Sequence, residues 1–115
     1  LMEGEKEDTM TLEANDYYTV AFKIISNVGA AKSLVMEALY AAKEGKYELA
    51  EEKLAESKHF FVEGHKTHAS LIQREANGEK LEFSLIFMHA EDQIMSVDTI
   101  TILVTEMIEL YKRTA

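Results

Sequence analysis

An all-α fold, an antiparallel up-down-up bundle of three long helices, is what this chain of 115 residues predicts. Three observations lead there. Proline is absent and glycine occurs only five times, so there are few points at which a helix must stop. Apolar residues recur at spacings of three and four over long stretches. The one run with strand-like composition, Leu81 to Met88, has no partner run elsewhere, and a lone strand leaves its backbone groups unpaired. The length suits one domain with a modest core.

Residues 1–10 read as a flexible acidic arm, and 11–115 as a single domain with helices at about 12–44, 47–76 and 81–113. In the first helix one apolar row runs through Tyr18, Ala21, Phe22, Ile25, Val28, Val35 and Leu39. A second row, Val20, Ile24, Ala31, Leu34, Ala38 and Ala41, lies beside it. That face is wider than one neighbouring helix needs. Gly29 falls mid-helix, where glycine costs roughly 1 kcal/mol against alanine, so a close helix crossing is expected there. Gly45 is the expected residue just past the first helix.

The second helix opens with Glu48, Glu51 and Glu52 near its positive dipole end. Its expected stripe is Tyr47, Ala50, Leu54, Phe61, His65, His68 and Ile72, and Asn77-Gly78 closes it. The third helix starts at Leu81 or Ser84 and ends with Lys112 and Arg113, cations suited to a helix C-terminus. Ile86, Ile94, Val97, Val104, Ile108 and Tyr111 form one row, while Met88, Met95, Ile102 and Leu103 point elsewhere. A three-helix monomer cannot bury both, so self-association with closed symmetry is expected.

Composition narrows the function. A net charge of −9 argues against binding nucleic acid or anionic lipid through a basic surface, and suits a partner with a basic patch. Without cysteine there is no disulfide, thiolate nucleophile or cysteine-ligated metal. No apolar run approaches the ~20 residues of a membrane span, and the acidic N-terminus is the opposite of a signal peptide. A cytoplasmic protein is expected.

The chemistry points to the window Phe83 to Met95, where a histidine and a carboxylate stand among apolar residues. His89 and Asp92, three apart, share a helix face, with Met88, Met95 and Ser96 also beside Asp92. A carboxylate there needs a proton, a cation or several donors. The neutral imidazole of His89 suits a nucleophile or base, or else both residues are packing features. His65 and His68, also three apart, have a spacing compatible with sharing a metal, or they line a packed groove. His59 reads as a surface residue.

Met88-His89-Ala90-Glu91-Asp92-Gln93-Ile94-Met95-Ser96 resembles the His-Ala-Gln-Asp-His-Leu-Met segment of the lactose/cellobiose-type IIA proteins of the bacterial phosphoenolpyruvate-dependent sugar phosphotransferase system. Ile24 to Leu34, Glu37 to Gly45, Gly64 to Gln73 and Glu106 to Arg113 extend the resemblance over about residues 15–113. It departs at His68-Ala69, where members have Gln-Thr, and at Gln93, where His is frequent.

The resemblance implies a cytoplasmic homotrimer of three-helix subunits that carries a phosphoryl group. Its phosphohistidine corresponds to His89. Its central aspartate, which can share a divalent cation such as Mg²⁺ across the trimer axis, corresponds to Asp92. No organic cofactor is implied. The implied partners are the phosphocarrier HPr as donor, a cysteine of a IIB component as acceptor, and, indirectly, a membrane IIC component that sets the sugar. Lactose, cellobiose, chitobiose and aryl-β-glucosides all fit. The readings set against it are a helical adaptor oligomer without phosphotransfer, and a metal-binding bundle using His65, His68 and Asp92.

Overall fold

The structure, a computed structural model, describes residues 14–81 and 84–115, with side chains from Tyr18 onward. The acidic arm, the residues before Ala14 and Phe83 lie outside the described residues. Three helices follow one another: α1 (Ala14–Lys43), α2 (Tyr47–Ala76) and α3 (Leu85–Thr114). The up-down-up bundle is as expected. Among the described residues there is no strand, and no helix is long and apolar enough to cross a membrane.

The turns follow from their glycines. Gly45 sits at φ 78°, which costs an L-residue but not glycine. Lys46 N–H donates to Ala41 O at 2.9 Å and Gly45 N–H to Ala42 O at 3.0 Å, so the last carbonyls of α1 find donors. Gly78, at φ 92°, repeats the device, with Glu79 N–H donating to Arg74 O and Gly78 N–H to Glu75 O. The Arg74 guanidinium also grips the Glu79 carboxylate, Nε to Oε2 at 2.8 Å, and holds that carboxyl below the usual range. The third helix does not begin at Leu81. Ser84 is its cap, with extended backbone and an Oγ that accepts from Phe87 N–H at 3.1 Å.

The packing is a coiled-coil-like seam. On α1 the residues with least exposure are Ala21, Ile24, Val28, Ala31, Val35, Ala38 and Ala42, alternating steps of three and four. The two expected rows of α1 therefore merge, and Tyr18 and Phe22, placed in the first of them, are exposed. On α3 the row Ile94, Val97, Val104 and Ile108 is buried as expected, joined by Ala90. Around α1 these form two clusters, one holding Ile24, Val28, Ala90, Ile94 and Val97, the other Val35, Ala38, Ala50, Val104 and Ile108.

The stripe expected on α2 needs correction. Its buried row is Ala50, Ser57, Gly64 and Leu71, one residue every seven. Tyr47, Leu54, Phe61 and His68 form a half-buried row beside it, while His65 and Ile72 are exposed. Ser57 is tolerated inside because its hydroxyl donates to Ala31 O at 2.8 Å. Gly64, not Gly29, makes the close crossing. A Cβ on Gly64 would stand 2.8 Å from Val28 Cγ2, whereas one on Gly29 would meet nothing within 4 Å.

Helix α1 packs on both neighbours, but α2 and α3 meet mainly at their ends. Near one end Tyr47 Oη donates to Tyr111 O at 3.2 Å and Lys112 Nζ to Glu51 Oε1 at 2.9 Å. Near the other, His68 meets Glu91. Between them lies a groove lined by Leu54, Ser57, Lys58, Phe61, Asp98, Thr101 and Thr105.

Candidate functional site at the head of α3

His89 stands on the second turn of α3, one turn past the Ser84 cap. Its side chain is exposed and lines an open hollow with Tyr18, Ser84, Leu85 and Ile86. The surroundings are apolar on two sides: Leu85, one turn before it, is 81% exposed, and Tyr18 comes across from α1. Among the described residues no side chain is hydrogen-bonded or ion-paired to the His89 ring. A ring so placed can be approached by a large partner, and a neutral imidazole has a lone pair to offer it.

Asp92 lies on the same side, exposed, one turn from His89. It interrupts an apolar line in which Met88, Met95 and Ile102 recur every seven residues, the last two 69% and 58% exposed. Among the described residues no group of three or more His, Cys, Asp or Glu side chains could hold a metal ion. One chain thus offers a cation a single carboxylate at this point.

The other histidines go elsewhere. His59 is exposed, as expected, with its ring edge-on to Phe60. His65 stacks on Phe61, the ring centroids 6.1 Å apart. His68 turns inward: its Nε2 lies 2.8 Å from Glu91 Oε1, and its ring is 6.2 Å from that of Phe87. A single metal shared by His65, His68 and Asp92 is not formed among the described residues. The pairing of His68 with Glu91 and the presence of Tyr18 beside His89 were not anticipated. The one trace of the first in the sequence is that His68 is a point at which the chain departs from the resemblance.

Comparison with known proteins decides the family. Residues 19–112, from within α1 to near the end of α3, match the family described as PTS system, Lactose/Cellobiose specific IIA subunit. The chain belongs to that family. It is 39% identical over 94 residues to the lactose-specific EIIA component of Streptococcus mutans, a match covering 82% of this chain and 90% of that protein. The crystal structure of the cellobiose-specific enzyme IIA from Bacillus anthracis superposes with a TM-score of 0.83 at 38% identity, covering 90% of this chain and 94% of the other. A chain from the IIA(Chitobiose)–HPr complex superposes with a TM-score of 0.76 at 31% identity, covering 85% and 95%. This IIA chain is therefore a component of a sugar phosphotransferase system with the family's three-helix fold.

Proposed function

We propose that this IIA chain is a phosphohistidine carrier in which His89 takes a phosphoryl group from phospho-HPr and passes it to a cysteine of a IIB component. The observation that carries the reading is the exposure of His89 at the open head of α3, while His68 is turned inward onto Glu91. In the first step the unprotonated ring nitrogen of His89 attacks phosphorus. A new N–P bond forms as the N–P bond of the donor breaks, and the donor imidazole leaves with the bonding pair. In the second, a thiolate sulfur attacks the same phosphorus and His89 recovers its lone pair. Such transfers depend chiefly on positioning and on stabilising charge on the phosphoryl oxygens. The exposed neighbours Tyr18 and Leu85 offer the partner an apolar rim, and the net charge of −9 favours a partner with a basic surface. Both partners meet this chain in the cytoplasm.

The bare stripe of α3 favours a homotrimer in which Met88, Met95 and Ile102 pack about a common axis. Asp92 would then approach its two copies within the Met88/Met95 layer. Three close carboxylates repel one another, so they share either protons or a divalent cation, with Mg²⁺ suited by its preference for oxygen. The donor set fits a cation only in that assembly. A bound cation would neutralise the carboxylates and would take no part at His89. Chelation that weakens the wild-type assembly but spares Asp92→Leu marks the cation; an assembly that weakens as pH rises, indifferent to chelator, marks shared protons.

The deciding experiment is incubation with phosphoenolpyruvate, enzyme I and HPr, followed by mapping of the label. Acid-labile phosphate on His89, lost in a folded His89→Ala variant, is the expected result. Label that persists in that variant overturns the assignment.

A further inference from the structure

The acceptor histidine occupies one flank of the first turns of α3, and the opposite flank is tied to α2. His89 and Glu91 are two residues apart, which on an α-helix sets them about 200° apart. Glu91 receives His68, whose Nε2 is 2.8 Å from its carboxylate oxygen. A carboxylate can only accept, so that nitrogen carries a proton. The His68 side chain is 15% exposed, and its ring also rests near Phe87, one turn before Glu91 on the same flank. His68 therefore meets that flank at two points.

This contact has few neighbours to share its work. A groove from Leu54 to Thr105 separates much of α2 from α3, with Phe60 and Phe61 packed toward the α1–α3 cluster, and the other polar ties given above, Tyr47 to Tyr111 and Lys112 to Glu51, are at the far end of the bundle. The first turn of α3 is set from below by the Ser84 cap. Its packing against α1 is set by Ala90, Ile94 and Val97, and against α2 the polar contact at this end is that of His68 with Glu91.

We infer that His68, acting through Glu91, is a positioning residue that sets the presentation of His89 for phosphoryl transfer. The inference rests on the acceptor reading above. His68 touches neither the reacting nitrogen nor the hollow around it, so its effect passes through the orientation of the α3 turn. Because Glu91 is 42% exposed, the pair adds little to stability while it steers a reacting group. Small displacements of such groups are costly in rate.

The test is single-turnover phosphorylation by phospho-HPr at varied donor concentration. It compares wild type with His68→Ala, Glu91→Ala, the double variant and His68→Gln, with thermal unfolding of each. Each alanine variant is expected to slow transfer at saturating donor about tenfold, well inside what misplacement can cost. The double variant should be no slower than either single one, and the half-saturating donor concentration should not change. His68→Gln, which can still donate to Glu91, should recover most of the rate. Unchanged rates, losses that multiply in the double variant, or losses that follow the unfolding temperature overturn the positioning role alone. A wild-type protein that takes no label on His89 overturns the acceptor reading and this role with it.

Discussion

Helices α1 and α3 are of equal length and both are rich in apolar residues, yet they have opposite fates. On α1 the seam from Ala21 to Ala42 is sealed, with Ile24, Val28 and Val35 fully buried. On α3 the inner row is sealed as well, but Met88, Met95, Ile102, Leu103 and Leu110 face outward. The cause is the number of neighbours. Helix α1 is wedged between two helices, whereas α3 leans on α1 and touches α2 chiefly at its ends. Burial is thus set by place in the bundle and not by apolar content. The unburied face carries Asp92 at its centre and His89 at its edge, so the face that the monomer leaves bare is the one available for assembly and chemistry.

The widest gap between the two helices should appear on truncation. Ile24→Ala removes a fully buried side chain from α1 and is expected to cost about 2–5 kcal/mol, measured by denaturant unfolding. A loss below about 1 kcal/mol would mean that the α1 seam is loosely packed. The glycines of the bundle offer the next contrast. Gly64→Ala pushes a Cβ against the buried Val28, an overpacking of about 1–3 kcal/mol set against about 1 kcal/mol of helix propensity, for a net loss. Gly29→Ala meets nothing and should gain up to about 1 kcal/mol. If Gly29→Ala destabilises instead, a second copy packs against that face of α1.

On the outer face of α3 the expected change is in assembly. Met95→Ser with Ile102→Ser should lower the mass seen by light scattering from about three times the 13.0 kDa chain to one, with helical content kept. An unchanged mass would remove the stripe from the interface. The smallest effect is expected at the α2 turn, which belongs to neither face. Hydrogen bonding to Arg74 lowers the Glu79 pKa in the folded chain. Its stabilisation is therefore present above the ordinary glutamate range and is lost as pH falls through the lowered value. The protection of the Asn77–Glu79 amides, taken relative to the intrinsic exchange rate at each pH, should fall on such acidification in wild type, and Glu79→Gln should be less sensitive to the same change.

Much of the fold was legible beforehand because the features that define it are local. Absent proline, the glycines at Gly45 and Gly78 and the three-four spacing on α3 each act within a turn or two of their own position. Of the buried row of α2 only Ala50 was expected, since Ser57 and Gly64 look unremarkable by hydrophobicity and Leu71 was passed over for its neighbour Ile72. The small size of Ser57 and Gly64 matters only because α1 lies against them, and that is a tertiary fact. The same holds for the two glycines, where Gly29 is as prominent in the sequence as Gly64 but faces open space.

At the candidate site the division is similar. The sequence alone singled out His89 and Asp92, because a motif and a three-residue spacing on one helix are properties of neighbouring positions. It left His68 between a metal ligand and a packing residue. Only the tertiary structure joined His68 to Glu91, 23 positions away, and brought Tyr18 of α1 beside His89. Contacts between helices depend on how the rods are rotated against one another. That rotation is set by the fit of small residues along the whole seam, which no short stretch of sequence contains.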